Sequence, residues 1–181
     1  MSRLASATRW LNAQLDPYSG RLPNLGHNDG SLMLPMGSAE FRDHRPAAQA
    51  ASLAFLERSC LPAGDWDLLS AWLGLDTHQK PIENSTSQAI KQLQKGDTRV
   101  LMRGVRFHGR PAHADQLHVE IWWQGVNIAQ DAGTYCYNCD PPWQNSLAST
   151  LVHNTVCLDD EEQMVRAGKF LWLRQAQAKW I

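Results

Sequence analysis

Gln116-Leu117-His118-Val119-Glu120-Ile121-Trp122-Trp123-Gln124-Gly125-Val126-Asn127-Ile128-Ala129 is the stretch whose pattern decides the fold. Leu117, Val119, Ile121 and Trp123 alternate with Gln116, His118, Glu120 and Trp122, the two-residue period of a strand whose faces meet different surroundings. Gln124-Gly125 then turns the chain into Val126 to Ala129, which predicts an antiparallel hairpin. Trp122 and Trp123 point to opposite faces, one toward a core and the other free to stack on a ring. Further strands are expected at residues 98–107, 150–158 and 169–173.

Upstream the period changes to that of a helix. Leu4, Trp10, Leu11 and Leu15 recur at near-helical intervals, and Asp16-Pro17-Tyr18-Ser19-Gly20 supplies the stop. Residues 21–45 form a long loop rich in Pro and Gly around His27-Asn28-Asp29-Gly30, and loops of that length without periodicity usually line a site. Pro46 suits the start of a second helix, with Leu53 and Leu56 on one stripe. Asp65 is read as the cap of a third, Trp66 to Leu73, closed by Gly74. Residues 76–97 are polar, with a short helical turn expected around Gln88 to Leu93. The reading is an α+β chain: a helical segment over 1–80, a linker over 81–97 and an antiparallel β region over 98–181.

With 181 residues there is room for one ordinary domain or two smaller pieces. Hydrophobic residues make up 43% and charged residues 19%, and no uncharged apolar run approaches the roughly 20 residues that span a bilayer, so no membrane span is expected. Lys+Arg 17 against Asp+Glu 18 leaves a net charge of −1, without the basic footprint of a duplex nucleic-acid binder. Trp is over-represented, 8 against 3 Tyr and 4 Phe, which fits either core packing or indole faces set against sugar rings. The N-terminal residues lack the pattern of an export signal. Cys136-Tyr137-Asn138-Cys139 is a CxxC, but no second close pair exists to complete a four-thiolate zinc knuckle. Redox use is disfavoured too, because the motif follows a Gly-Thr-Tyr turn instead of opening a helix.

The polar motifs of the β half are Arg110-Pro111-Ala112-His113-Ala114-Asp115, Asp131-Ala132-Gly133-Thr134-Tyr135-Cys136-Tyr137 and His153-Asn154-Thr155-Val156. Neighbouring antiparallel strands can bring His113, Asp131 and His153 together. Such nitrogen and oxygen ligands suit Zn²⁺ and leave a fourth position open, with Asp115 or Asn154 orienting a ring nitrogen from behind. The bland alternatives are a hydrogen-bonded histidine at the start of a strand, a turn aspartate and a solvent-facing histidine.

These three ordered motifs resemble the C-terminal β-sandwich region of heparinase II/III-like polysaccharide lyases, and Leu22 to Ser31 with Asp43-His44-Arg45-Pro46 resembles the end of the (α/α) toroid that precedes it. The resemblance implies a bacterial protein, periplasmic in many relatives, that acts on acidic, uronate-containing polysaccharide by β-elimination. It places zinc on His113, Asp131 and His153. It also implies that residues 1–80 end a toroid and that residues 98–181 are a partial sandwich, so that the chain is a fragment of a larger protein lacking a full catalytic set. Pro111 stands where such lyases commonly carry a catalytic His, with His108 and Arg110 the nearest polar residues; the catalytic residues are left unassigned. Asn28, Arg45 and Tyr135 are the expected substrate-binding residues, and an acidic polysaccharide or oligosaccharide is the expected partner. The alternative to a lyase is a non-catalytic carbohydrate-binding module, with Trp122, Trp143 and Tyr135 stacking on sugar. A zinc hydrolase using Asp115 or Glu120 as base is a third reading. Oligomeric state is not legible.

Overall fold

The computed structural model describes residues 2–28, 30–78 and 90–181. The chain is α+β and separates into two compact units, one formed by Met1–Leu22 with Leu32–Ser87, the other by Pro23–Ser31 with Gln88–Ile181. The loop around His27 and Asn28 thus belongs to the β unit, although the helical segment surrounds it in sequence.

The first unit holds α1 (Arg3–Asn12), α2 (Arg45–Leu56) and α3 (Asp67–Trp72). Ser2 caps α1 by accepting from the Ala5 N–H. Pro46 occupies the first turn of α2, where its missing N–H costs no helical bond. The core gathers Leu15, Ala48 and Leu61, with Leu11, Leu22, Cys60 and Trp66 packed against it. Asp65 does not cap α3. The start of that helix falls two residues later, at Asp67, whose carboxylate accepts from the Gly64 N–H and from buried Gln49. Gly74, at φ +69°, ends it in the left-handed region as expected.

The second unit holds a four-stranded antiparallel sheet in the order β1 (Ile90–Lys95), β2 (Thr98–Arg103), β3 (Val119–Trp123) and β4 (Val126–Ala129), and a two-stranded sheet of β5 (Val165–Gly168) and β6 (Leu171–Leu173). β1 replaces the helical turn expected over 88–93; residues 88 and 89 lie outside the described residues. Its pairing with β2, Ile90 against Arg103 and Lys95 against Thr98, overrides the weak local helical signal. The expected strand over 150–158 is absent as well. Thr150–Val152 is a short 3-10 helix, because the Thr150 side chain and N–H are taken by Ala114 O and the Glu162 carboxylate instead of a strand partner.

The hairpin is as read. Gln124 and Gly125 both have positive φ, 48° and 75°, which matches the twist of paired strands. A bulge beside Ile121/Trp122 sets Asn127 opposite Trp122. The two tryptophans divide as expected, Trp122 being 2% exposed and Trp123 51%. The inward face is the polar row: His118, Glu120 and Trp122 are buried, whereas Ile121 and Trp123 face outward with Leu93, Met102, Val126 and Ile128. Glu120 is tolerated inside because Trp122 Nε1 and Asn127 Nδ2 each donate to it at 2.8 Å and the Asn24 N–H donates to its other oxygen at 3.3 Å. Burial nonetheless pushes its pKa up.

Candidate metal centre

Beneath that inward face, three chain segments converge. The loop before β3 supplies His113 and Asp115, the residue pair just past β4 supplies Asp131, and the chain after the 3-10 turn at Thr150 supplies His153. The first and third are pinned together: Ala114 N–H donates to Ala148 O at 2.9 Å, and Thr150 Oγ1 donates to Ala114 O at 2.8 Å. Asp131 is held by its own turn, its Oδ1 accepting from the Gly133 N–H at 2.7 Å. All four side chains are buried, and one ligand atom from each lies within 4.8 Å of the others.

The distances are those a small cation needs. His153 Nε2 lies 3.3 Å from His113 Nδ1 and 3.3 Å from Asp131 Oδ2, and His113 Nδ1 lies 3.8 Å from Asp131 Oδ1. Ligands about 2.0–2.1 Å from a tetrahedral zinc stand roughly 3.3 Å apart. His153 Nδ1 bonds Ser149 O at 2.6 Å; since a carbonyl only accepts, Nδ1 carries a proton and Nε2 turns its lone pair inward. Asp131 Oδ2, Asp115 Oδ1 and His113 Nε2 are buried without a hydrogen-bond partner. Two imidazole nitrogens and a carboxylate at these distances need a proton or a cation between them.

The protonation tendencies agree. Burial lowers the His113 pKa to about 4, so its ring is neutral near pH 7. Burial also opposes a charge on His153, but the Asp131 carboxylate, the Ser149 carbonyl and Asp115 together outweigh it and raise the pKa. For Asp131 burial pushes up, but His153, the Gly133 N–H and His113 together hold the pKa below its usual value. Without a cation, then, a neutral His113 lies beside an Asp131 and a His153 whose charged forms favour each other.

The residues expected to orient the rings do so differently. Asp115 is paired with Arg103 and bonds neither ring; its free oxygen makes it a fourth candidate ligand instead. Asn154 acts through its backbone, its N–H donating to Nδ1 of His118 at 3.2 Å. His118 is the residue that the pattern did not single out. With Nδ1 accepting, its Nε2 carries the proton and faces Asp131 Oδ2 at 4.0 Å and Glu120 Oε1 at 3.9 Å. Its pKa is lowered by burial to about 4. The signal for it lay in the alternation itself, which sets His118 in the same row as Glu120 and Trp122.

Of the expected substrate-binding residues, Asn28 and Tyr135 belong to the β unit and Arg45 to the helical one. Asn28 accepts from Gly30 N–H through Oδ1, and its own N–H reaches Thr134 Oγ1 at 3.3 Å. Arg45 lies in the other unit, bonded to Asp43 and stacked over Trp66 at 4.6 Å. Tyr135 is 72% exposed, edge-to-face with Trp143. Pro111 is fully buried, and His108 and Arg110 are exposed. Trp122, buried and bonded to Glu120, cannot stack on a sugar. His27 packs edge-on against His113 at 5.8 Å and against Tyr137 and Phe170 at 5.6 and 5.2 Å, joining the buried cluster to the exposed loop that follows Asp131.

The family profile described as heparinase II/III-like, C-terminal, matches residues 85–180. The chain belongs to the heparinase II/III-like family. Solved structures with the same fold include a heparinase III with methylated lysines, 17% identical, with a TM-score of 0.53 over 83% of this chain. A heparan sulfate lyase mutant from Pedobacter heparinus is 18% identical, with a TM-score of 0.54 over 86% of this chain. This heparinase II/III-like chain spans 22% and 23% of the length of those two structures. A comparison with curated proteins finds no match. Among the described residues no helix is long and apolar enough to cross a membrane.

Proposed function

We propose that this chain is the metal-braced β region of a polysaccharide lyase-type protein that handles uronate-containing polysaccharide, with zinc on His113, Asp131 and His153. The observation that carries the reading is the burial of these donors at 3.3 Å spacings in a chain of this family. Asp115 and His118 support the set, the first neutralised by Arg103, the second directing its Nε2–H toward Asp131. Bound there, zinc would brace the three segments that carry these ligands and neutralise their buried charge. β-Elimination also needs a base for the C5 proton and an acid for the leaving oxygen; no pair of groups in this chain is assigned to those steps. Residues 1–80 are proposed as the end of a toroid, and catalysis as completed by sequence outside this chain.

The runner-up is a non-catalytic carbohydrate-binding module, favoured by the exposed Tyr135 and Trp143 and by Pro111 in place of a catalytic His. Two measurements separate the readings. Adding zinc to chelator-treated protein should raise its melting temperature by several degrees, since a ligand at about 100 times its Kd stabilises the native state by about 2.7 kcal/mol. Incubation with heparan sulfate or alginate then reports catalysis: an ultraviolet-absorbing unsaturated product would mean that this chain holds a complete lyase site. Saccharide binding without product, in a zinc-responsive protein, supports the braced region alone, and a protein indifferent to zinc contradicts the metal assignment.

A further inference from the structure

The loop that follows Asp131 exposes more aromatic surface than folding requires. Tyr135 is 72% and Trp143 57% exposed, yet the rings meet edge-to-face at 6.2 Å and 74°. That angle makes an open corner, in which one flat face can lie against a sugar ring while the other ring borders its edge. The loop is also unusually well fastened for a surface segment. Cys136 and Cys139 form a disulfide within it, and Asn145 N–H closes its base on Cys136 O at 2.9 Å. Two cations tie it from outside: Lys169 Nζ donates to Asn138 Oδ1 at 2.7 Å and Arg166 donates to Gln144 O at 3.1 Å. Asn145 Nδ2 returns a bond to Lys169 O at 2.7 Å. Tyr137 turns the other way, onto His27 and Phe170, and anchors the loop toward the buried cluster.

Fastening of this kind adds little to a core, since the tied residues are largely at the surface. It does fix the geometry of the exposed rings before a ligand arrives, which lowers the ordering cost of binding. The groups that tie the loop suit an anionic sugar: Lys169 and Arg166 are cations, and Asp140 is the single carboxylate of residues 132–145. We propose that Tyr135 and Trp143, held by the Cys136–Cys139 cross-link, form a subsite for one ring of an acidic oligosaccharide, distinct from the metal cluster. The proposal rests on the polysaccharide reading above and adds Trp143 and the disulfide to it.

The test is calorimetric titration of the whole zinc-loaded chain with size-defined heparan sulfate and alginate tetrasaccharides. Trp143→Ala and Tyr135→Ala should each weaken binding by about tenfold, as loss of an aromatic anchor does, while Trp143→Phe keeps most of the affinity. Reducing the disulfide of the wild type with a phosphine should weaken binding severalfold, and the Cys136→Ser/Cys139→Ser double variant should start at that weaker level and ignore the reductant. Metal content should stay at the wild-type level throughout. Wild-type affinity in both alanine variants overturns the subsite while leaving the polysaccharide reading intact. A wild type that binds neither tetrasaccharide overturns the polysaccharide reading and the subsite with it.

Discussion

The Asp43 carboxylate is bonded by the Arg45 side chain at 2.7–3.2 Å and by the Arg45 N–H at 3.0 Å, so one aspartate both starts α2 and pairs its first cation. Gly20 permits this, because a Cβ there would stand 2.0 Å from the Asp43 oxygen. Burial pushes the Asp43 pKa up, the Arg45 bonds outweigh it, and the net position is below the usual 3.8. A carboxylate with a depressed folded pKa adds stability above its unfolded pKa and loses it as pH falls through the folded value. Asp43→Asn should therefore cost about 1 kcal/mol at pH 7, and the gap to wild type should close below pH 3.8. Paired denaturant melts at neutral and acid pH check this; a gap that persists in acid contradicts it.

At the scale of elements, the hairpin was legible because period-2 alternation and a Gln-Gly turn are local signals, whereas the direction of its faces was not. Alternation says that two faces differ, and only the contacts of Glu120 and Trp122 reveal that the polar row is the inward one. The same limit explains β1 and the 3-10 turn at Thr150. β1 exists through its pairing with Thr98–Arg103 across the Gly96-Asp97 turn, which the helical reading of residues 88–93 passed over, and the 3-10 turn through Ala114 and Glu162, 36 and 12 residues away. The convergence of His113, Asp131 and His153 could be named from the ordered motifs, but His118 and the second role of Asp115 depend on which atoms face inward. The Cys136–Cys139 disulfide is not written in the CxxC spacing, which metal and redox sites share; it depends on the fold of the loop that Asn145 N–H closes on Cys136 O. The Asp131 turn gives a prediction at this scale. Gly133 has φ +70°, and a Cβ there would stand 2.0 Å from Asn24 Nδ2, so Gly133→Ala should destabilise the protein by about 1–3 kcal/mol. It should also weaken zinc binding through displacement of Asp131. Thermal melts with and without zinc measure both, and an unchanged melt in each condition contradicts the role of the turn.

At the scale of the molecule, the two units are built on different balances. The helical unit has a continuous apolar cluster around Leu15, Ala48 and Leu61. The β unit has two small clusters, Ala114, Ala148, Met164 and Trp172 in one and Ile90, Leu101 and Trp122 in the other, alongside the buried group of His113, Asp115, His118, Asp131 and His153. So much buried polar surface is costly unless something neutralises it. A metal ion on these ligands would do so and would link the loop before β3, the turn after β4 and the segment after Thr150. Elemental analysis of the whole purified chain beside His113→Ala and His153→Ala variants tests this most directly. About one zinc per wild-type chain is expected after zinc loading and dialysis, and none retained by either variant. A folded wild type that retains no metal, or variants that retain it undiminished, would contradict it.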